Sequence, residues 1–352
     1  MKIFDEQIDH SYTELFKKMS WPDTNKLKSS WKEIRHRTNI EPSNYKTYQL
    51  QVNAITKDIF KLCLAFEARK PSHAQLILAK KWFISEFRDF VREGSLNRMV
   101  MDRPYGYPGD FRIIDHIYQK DPKTLGFERC MDDHLLDSPA SIATRNRKED
   151  FKNYLIRSIK KLTGEIHIMN LASGPCRDIS ELLKNHKQNS IFFEKKLIID
   201  CLDHDTNALT YGKTVLSPLL DELTPNILVR FIKKNALRIS LAKNIEKYIQ
   251  QKYDIIYSTG LFDYLGGDIA VALLENLKLL LKPNGILIIS NYREGFRNLS
   301  RVFMDWGVDW QIVYRSQSEF TGLFEKAGFR KSSLQIEYEH QGIMQYCFAK
   351  NN

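Results

Sequence analysis

From residue 166 onwards, short apolar segments alternate with helical ones, and this alternation constrains the fold more than any other feature of the chain. Apolar strands are predicted at 166–171, 196–202, 227–232, 253–258 and 285–291. The intervening helices are predicted at 177–187, 205–215, 240–250 and 268–281. Strands separated by helices indicate a parallel sheet covered on both faces. A last helix at 316–327 and strands at 329–339 and 343–349, joined across Gln341 and Gly342, predict an antiparallel hairpin at the sheet edge.

The residues before about 150 favour helices instead. Two apolar stripes at helical spacing predict core packing: Val52, Ile55, Ile59, Cys63 and Phe66, then Leu76, Ala79, Phe83, Phe87 and Phe90. We expect Ser43 to cap the first of these helices and Gly94 to end the second. A further helix over 149–162, stopped at Gly164, leads into the first strand. The sequence therefore predicts a helical domain at 1–148 and an α/β domain at 149–352.

Composition narrows the class of protein without naming a function. The chain has 352 residues, of which 43% are hydrophobic and 27% charged, as in ordinary globular proteins. Its five cysteines lack metal-ligand spacing, so we expect reduced thiols, no metal site and a cytoplasmic location. We expect neither a secretory signal in the first residues nor a membrane span. The net charge of +10 is dispersed, and its densest run, 145–161, is expected to be a solvated helix face.

Small and acidic residues follow the first two predicted strands. Ala172, Ser173, Gly174 and Pro175 form a turn whose small side chains let backbone approach a nucleotide closely. After the second strand, Asp203 ends an apolar run and could accept both ribose hydroxyls, whereas Asp205 is expected to cap the next helix. Ligands of open α/β sheets bind at this end of the strands. One glycine in place of GxGxxG argues against NAD.

Later segments carry a family resemblance. Residues 253–265 combine Tyr-Asp-Ile-Ile with small and then aromatic residues, 281–285 read Leu-Lys-Pro-Asn-Gly, and 327–329 read Ala-Gly-Phe. In these features the second half resembles class I methyltransferases, which use S-adenosylmethionine (SAM). The resemblance implies a Rossmann-like doubly wound sheet with a C-terminal antiparallel hairpin, preceded by an α-helical N-terminal domain.

The same resemblance implies a SAM site at the carboxyl ends of the strands. The first turn would lie under the methionine part, with Arg145, preferred over Arg147, on its carboxylate. Asp178 would either complement a helix dipole or meet the ammonium group, and Asn235 would either bind adenine or serve a turn. The expected SAM-binding residues are Arg145, Ala172, Ser173, Gly174, Pro175, Asp178, Asp203, His204, Asn207, Asn235, Ala236, Ser258, Thr259, Gly260 and Leu261.

Three further segments, 103–111, 201–203 with 260–265, and 309–315, are similar to the bacterial extracellular factor family, linked to 3-hydroxypalmitic acid methyl ester biosynthesis. The similarity covers about residues 100–349, although Ala172-Ser173 and Cys176 depart from the family pattern of Cys and Gly. Tyr107 and Asp110 could form a lid or a plain turn. The catalytic candidates are Tyr107, Asp110, Tyr264 and Tyr292. The candidates for acceptor binding, or else for packing between domains, are Tyr292, Trp306, Trp310 and Tyr314.

The leading hypothesis is a SAM-dependent methyltransferase acting on a small molecule, for example the carboxylate of a 3-hydroxy fatty acid. An RNA methyltransferase would suit the positive charge, but the chain lacks an Asn/Asp-Pro-Pro-aromatic motif after strand four, and we expect no nucleic-acid partner. A non-catalytic SAM-binding regulator is the third hypothesis. A homodimer is compatible with all three.

Overall fold

The computed structural model describes residues 24–189, 195–222, 226–295 and 300–352. These residues divide into two compact units. The first contains 24–142 and 300–311, and the second contains 143–295 and 312–352, within the described ranges. The predicted boundary after 148 had assigned 300–311 to the second domain, whereas the chain returns to the first unit there.

The first unit is helical. Its helices are α1 (Asn25–Ile40), α2 (Lys46–Glu67), α3 (His73–Val91), α4 (Ser95–Asp102), α5 (Phe111–Gln119), α6 (Gly126–Leu136) and the start of α7 (Pro139–Lys161). Both predicted apolar stripes lie on α2 and α3, and all their residues except Leu76 are buried. Ser43 is not a helix cap, because it lies in a separate 3₁₀ turn, Pro42–Asn44. Helix α3 ends before Gly94, and its capping box is formed by Ser72 and Gln75.

Segment 300–311 is held in the first unit by specific contacts. It contains a short helix, Ser300–Val302, and a π-helical turn, Phe303–Gly307. The Trp306 side chain is 1% exposed and packs edge-on against Phe66 and Phe83. Its indole N–H donates to Glu67 Oε1 at 2.8 Å. Arg103 donates to the carbonyls of 308 and 309 at 2.7 and 2.6 Å. These contacts explain why the segment belongs with the helices.

The second unit is built on a seven-stranded sheet of order β3-β2-β1-β4-β5-β7-β6. Its strands are β1 (Glu165–Leu171), β2 (Lys196–Asp203), β3 (Ile227–Lys233), β4 (Tyr253–Ser258), β5 (Leu281–Tyr292), β6 (Leu334–Tyr338) and β7 (Met344–Lys350). Its helices after α7 are α8 (Arg177–Asn189), α9 (Thr206–Leu220), α10 (Ala236–Ser240), α11 (Ile245–Tyr248), α12 (Gly267–Leu280) and α13 (Gln317–Lys326). The first five strands are parallel, and β7 is antiparallel to β5 and β6. The predicted doubly wound sheet with a terminal hairpin is confirmed.

Helices cover both faces of this sheet because successive strand residues point to opposite sides. On one face, Phe151 of α7 packs against Tyr257 of β4 and Tyr346 of β7. On the other, Ile256 belongs to a buried apolar cluster with residues of α12 and α13. The sheet is therefore buried on both sides, and its ligand-binding positions are the carboxyl ends of the strands.

The prediction of a single helix at 240–250 is wrong. Two short helices, α10 and α11, occupy this region, and Asn residues start each of them. The Asn235 side chain accepts from Leu237 N at 2.8 Å, and the Asn244 side chain accepts from Lys247 N at 3.2 Å. Asparagine at such a position favours a new helix start over continuation. The predicted strand at 329–339 is also too long, since β6 follows a 3₁₀ turn at Lys331–Ser333.

Candidate functional site

The turn after β1 has an unusual backbone. Ala172, Gly174 and Cys176 all adopt positive φ, at 55°, 51° and 53°. The end of β2 fixes the turn, since Ser173 N donates to the carbonyl of Leu202 at 3.0 Å. Alternating left-handed residues bend the chain sharply, so the turn stands over the carboxyl end of the sheet. Only one of the three left-handed positions is glycine, which costs conformational energy at the other two.

This backbone gives a stability prediction. We expect Ala172→Gly to raise the free energy of unfolding by about 0.5–1 kcal/mol, because glycine adopts positive φ without a steric penalty. Ala272, half-buried inside α12, is the matched control, and Ala272→Gly is expected to lower the same free energy by about 0.5–1 kcal/mol. Urea unfolding measures both. A loss of stability in both variants would contradict the strain at Ala172.

Two polar atoms at this turn are buried without a partner among the described residues. They are Nδ2 of Asn170, whose side chain is 1% exposed, and Oγ of Ser173, which is 7% exposed. An unsatisfied buried polar atom is costly, and a polar ligand at the turn would remove that cost. The turn therefore fits a ligand that presents polar groups, as the methionine part of SAM does.

Asp203 connects the turn to the end of β2. Its Oδ2 accepts from Gly174 N, and its Oδ1 accepts from Asp205 N, both at 3.0 Å. Asp205 caps α9, as predicted, by accepting from Asn207 N at 2.8 Å. His204 and Asn207 are exposed beside it, and the hydrogen bond to Asp203 raises the pKa of His204. A carboxylate oxygen accepts more than one hydrogen bond, so Asp203 keeps capacity for a ribose hydroxyl.

Asp178 lies beneath the turn, in the first helical turn of α8. It is 7% exposed, and Tyr257 donates its hydroxyl proton to Asp178 Oδ2 at 2.6 Å. Burial raises the pKa of this carboxyl, while the bond from Tyr257 lowers it. An ammonium group beside Asp178 would favour the ionised form. Both predicted roles, dipole partner and ammonium partner, are compatible with this position.

The segment after β4 also lies at the carboxyl ends of the parallel strands. Ser258 Oγ donates to the carbonyl of Leu171 at 2.8 Å, and Ser290 Oγ donates to the carbonyl of Thr259 at 2.7 Å. These bonds connect β1, β4 and β5 where the strands end. The expected SAM residues Ser258, Thr259, Gly260 and Leu261 therefore lie on a backbone fixed from both sides.

A buried polar network follows in the 3₁₀ turn Leu261–Tyr264. Asp263 is 2% exposed, and its Oδ1 accepts from Asn291 Nδ2 at 2.8 Å and from Tyr292 N at 2.9 Å. Arg315 donates to the carbonyls of Phe262 and Leu265 and to Asn291 Oδ1. Burial raises the pKa of Asp263, and Arg147 offsets part of that rise. Arg315 and Asn291 fix this turn, a role that the sequence did not indicate for either residue, because they meet Asp263 only through tertiary packing.

Tyr292, at the end of β5, is also enclosed. It is 6% exposed and lies edge-on to Tyr314, with ring centroids 6.0 Å apart. Burial raises the pKa of Tyr292 to about 12, so the phenol stays protonated at neutral pH. Tyr264 is more accessible to solvent than Tyr292, since it is 39% exposed. Of the predicted catalytic and acceptor-binding residues, Tyr264, Tyr292 and Tyr314 thus belong to the second unit.

Four other predicted residues belong to the first unit. Asp110 is fully buried and caps α5, accepting from Arg112 N at 2.9 Å and Ile113 N at 3.1 Å. Tyr107 is half-buried in the preceding turn, and Trp310 is 8% exposed. Trp306 lies in the helical core described above and is 1% exposed. Within the first unit, Asp110 therefore serves as a helix cap, and Trp306 packs against the aromatic rings of the helical core.

The remaining predicted SAM-binding residues are Asn235 and Ala236, after β3, and Arg145, on α7. Asn235 and Ala236 are half-buried at the start of α10, where the Asn235 side-chain oxygen serves the helix cap. Arg145 is half-buried on α7, whereas Arg147 is 4% exposed and contacts Asp263.

Among the described residues, no group of three or more His, Cys, Asp or Glu could hold a metal ion. No described helix is long and apolar enough to span a membrane.

Known proteins are similar to this chain in sequence or in fold. Residues 103–351 match the sequence model of a family described as "putative methyltransferase". A solved structure from Bordetella parapertussis, described as a possible exported protein, is 16% identical with a TM-score of 0.59, over 78% of this chain and 87% of that one. Magnesium protoporphyrin IX methyltransferase from Synechocystis PCC 6803, solved with bound SAM, is 9% identical with a TM-score of 0.43, over 61% and 84%. None of the curated proteins matches the chain.

The fold and the family match together identify a class I methyltransferase, an enzyme for which SAM is the methyl donor. The chain belongs to the putative methyltransferase family, whose model covers most of its length. The predictions of fold, enzyme class and cofactor are confirmed at this level.

Proposed function

We propose that this protein methylates a small-molecule acceptor and that it binds SAM at the carboxyl end of the second unit's sheet. One observation carries the assignment: the turn at 172–176 is tied to the Asp203 carboxylate and holds two buried polar atoms without partners. These features suit a ligand that combines a ribose with a polar amino-acid part. When bound, SAM supplies an electrophilic methyl group on sulfur.

The chain's own residues would orient this ligand and exclude water. Asp203 is proposed to accept the ribose hydroxyls, and Asp178 to face the ammonium group. Ser258, Thr259, Gly260 and Leu261 would border the reacting sulfur. Holding donor and acceptor in line within a dry site is the main contribution that such an enzyme makes.

Two buried titratable groups near this position, Tyr292 and Asp263, favour an acceptor that needs no base. Tyr292 is protonated at neutral pH, and Asp263 faces a guanidinium with one oxygen and two N–H donors with the other. Neither is poised to take a proton. A carboxylate is already a nucleophile at neutral pH, and its charge is lost as the sulfonium becomes a thioether. We therefore propose a carboxylate acceptor, such as a 3-hydroxy fatty acid, in agreement with the resemblance to the extracellular factor family.

The test is a SAM titration followed by an acceptor screen that measures released S-adenosylhomocysteine. We expect SAM binding, and product formation with 3-hydroxypalmitate that adds the mass of one methylene. The methyl ester of 3-hydroxypalmitate is the matched control, because its carboxyl is already blocked. Absence of SAM binding would refute the assignment. Turnover of RNA, or binding without turnover of any acceptor, would replace the small-molecule proposal.

A further inference from the structure

A groove lies at the amino ends of β4 and β5, at the opposite end of the sheet from the proposed SAM site. Its volume of about 570 Å³ is within the range of small-molecule sites. The last turn of α12, the start of β5 and the end of α13 line it, so it belongs entirely to the second unit. Its apolar lining residues are Leu279, Leu281, Pro283 and Ala327. At the usual rise of a strand, about 20 Å of β5 separates this groove from the proposed site of methyl transfer.

One wall of the groove, the turn at the start of β5, is held by Asn351. The Asn351 side chain donates from Nδ2 to the carbonyls of Leu281 and Lys282 at 3.4 and 3.3 Å. Its backbone N–H donates to the carbonyl of Gly285 at 2.9 Å, and its own carbonyl accepts from Asn284 N at 2.8 Å. These bonds fix the wall before any ligand arrives, and a preformed site loses little affinity to ordering.

Three lysines, Lys252, Lys278 and Lys282, add positive charge to the lining. The charges of two of them are compensated by neighbouring carboxylates. Lys252 pairs with Glu246, and Lys282 Nζ lies 2.6 Å from Asp254 Oδ2. The third, Lys278, has no ion pair among the described residues, so the groove carries one uncompensated ammonium group.

The surroundings of Lys278 leave it able to bind an anion. Its Nζ donates to the carbonyl of Gly328 and lies 5.2 Å from the centroid of the Phe329 ring. An ammonium group has three N–H donors, so the bond to Gly328 leaves two for a ligand. Glu275, three residues earlier on α12, also lines the groove but forms no ion pair with Lys278 in the described part of the chain.

Leu279 supplies the exposed apolar surface beside this cation. Its side chain is 54% exposed, although Leu281 and Ala327 in the same lining are 3% and 5% exposed. A single exposed leucine is ordinary, but this one borders a groove with an apolar floor. An alkyl chain in the groove would remove the Leu279 surface from water, and every methylene buried there would add to its affinity.

We propose that this groove binds one alkyl carboxylate, with its head on Lys278 and its chain along Leu279 and Ala327. A neutral chain would leave Lys278 without an anion, and a cationic head would meet three ammonium groups. A head with one negative charge matches the one uncompensated ammonium, so we commit to a free fatty acid rather than a membrane surface. The site is distant from the proposed SAM site and does not depend on the proposed function.

The first arm of the test asks whether the head group is recognised. Calorimetry on the full-length chain would compare decanoate, decanol and decyltrimethylammonium. We expect decanoate to bind about 5- to 10-fold more tightly than decanol, because hydrogen bonds between charged groups are stronger than neutral ones, and the cation to bind most weakly. Lys278→Gln is expected to abolish the preference for decanoate and to leave decanol within about twofold. Lys32→Gln, an exposed lysine on α1, is the matched control and should change neither.

The second arm asks whether the ligand lies in the groove. Leu279→Glu replaces an apolar wall by a like charge and is expected to weaken decanoate binding at least about tenfold. Leu50→Glu, at a leucine of α2 that is 80% exposed, is the matched control and should leave it unchanged. Both positions are exposed, so both variants should fold, which circular dichroism checks. If the proposed acceptor site also takes decanoate, Leu279→Glu removes one of two bound equivalents.

Three results would overturn the proposal. The first is equal affinity of the wild-type chain for decanoate and decanol, and the second is an equal effect of Leu279→Glu and Leu50→Glu. The third is binding to phosphatidylglycerol vesicles that Lys278→Gln abolishes, without binding of decanoate, which would identify a membrane surface as the partner. A failed SAM titration would refute the proposed function alone, because none of these measurements uses SAM.

Discussion

Replacing Asp203 by alanine is expected to weaken SAM binding by at least about 100-fold, because hydrogen bonds to a charged group contribute about 1.5–3 kcal/mol each. The side chain has two tasks in the proposed site. It would hold the ribose, and it already accepts from Gly174 N at 3.0 Å and so fixes the turn beneath the methionine part. Losing both tasks at once accounts for the size of the effect. Calorimetry with SAM measures it directly.

Two control variants separate these tasks. Asp203→Asn keeps an oxygen for one backbone N–H but loses the negative charge, so we expect an intermediate affinity. Asp205→Ala removes the cap of α9 and is expected to lower stability by about 1 kcal/mol while SAM affinity stays within a few-fold. Unchanged affinity in Asp203→Ala, together with a large loss in Asp205→Ala, would move the ribose contact to Asp205.

Replacing Trp306 by alanine is expected to lower the free energy of unfolding by about 3–5 kcal/mol, the usual cost of emptying a buried aromatic site. The ring is 1% exposed between Phe66 and Phe83, and its N–H is bound to Glu67. Urea unfolding, followed by circular dichroism of the helical signal, measures the loss.

The conservative variant distinguishes packing from ligand binding. Trp306→Phe keeps most of the ring contacts but leaves Glu67 without the indole donor, so we expect a loss of about 1–2 kcal/mol. SAM affinity should not change in this variant. A stable Trp306→Ala protein with weakened acceptor binding would contradict the core position and favour the acceptor-binding role expected from the sequence.

Much of the α/β half could be predicted from sequence, because strand period and helix period differ and the buried strands are continuous apolar runs. Strand β4 lies where it was predicted, at 253–258, and β1, β2 and β3 differ by one residue at an end. The error at 240–250 arose where side-chain caps at Asn235 and Asn244 compete with helix continuation. Local hydrogen bonds of this kind leave little trace in a hydrophobic pattern.

The candidate site was less accessible to sequence reasoning. Asp203 and the small-residue turn could be found because they directly follow predicted strands. The buried network around Asp263 could not, since Arg147, Asn291 and Arg315 are far apart in sequence and meet only through tertiary packing. Trp306 was predicted from its place after β5 to bind the acceptor or to pack between domains, whereas its neighbours Glu67, Phe66 and Phe83 lie on helices more than 200 residues earlier.

The return of segment 300–311 to the helical unit has a consequence for biosynthesis. When a ribosome has delivered the first 142 residues, the helices still lack Trp306, the residue that fills their centre. Nascent chains usually fold their N-terminal domain first. Here the helical unit is complete only after translation has passed residue 311, when five of the seven strands have already been synthesised. A fragment ending at the predicted boundary of 148 would therefore be an incomplete unit rather than an independent domain.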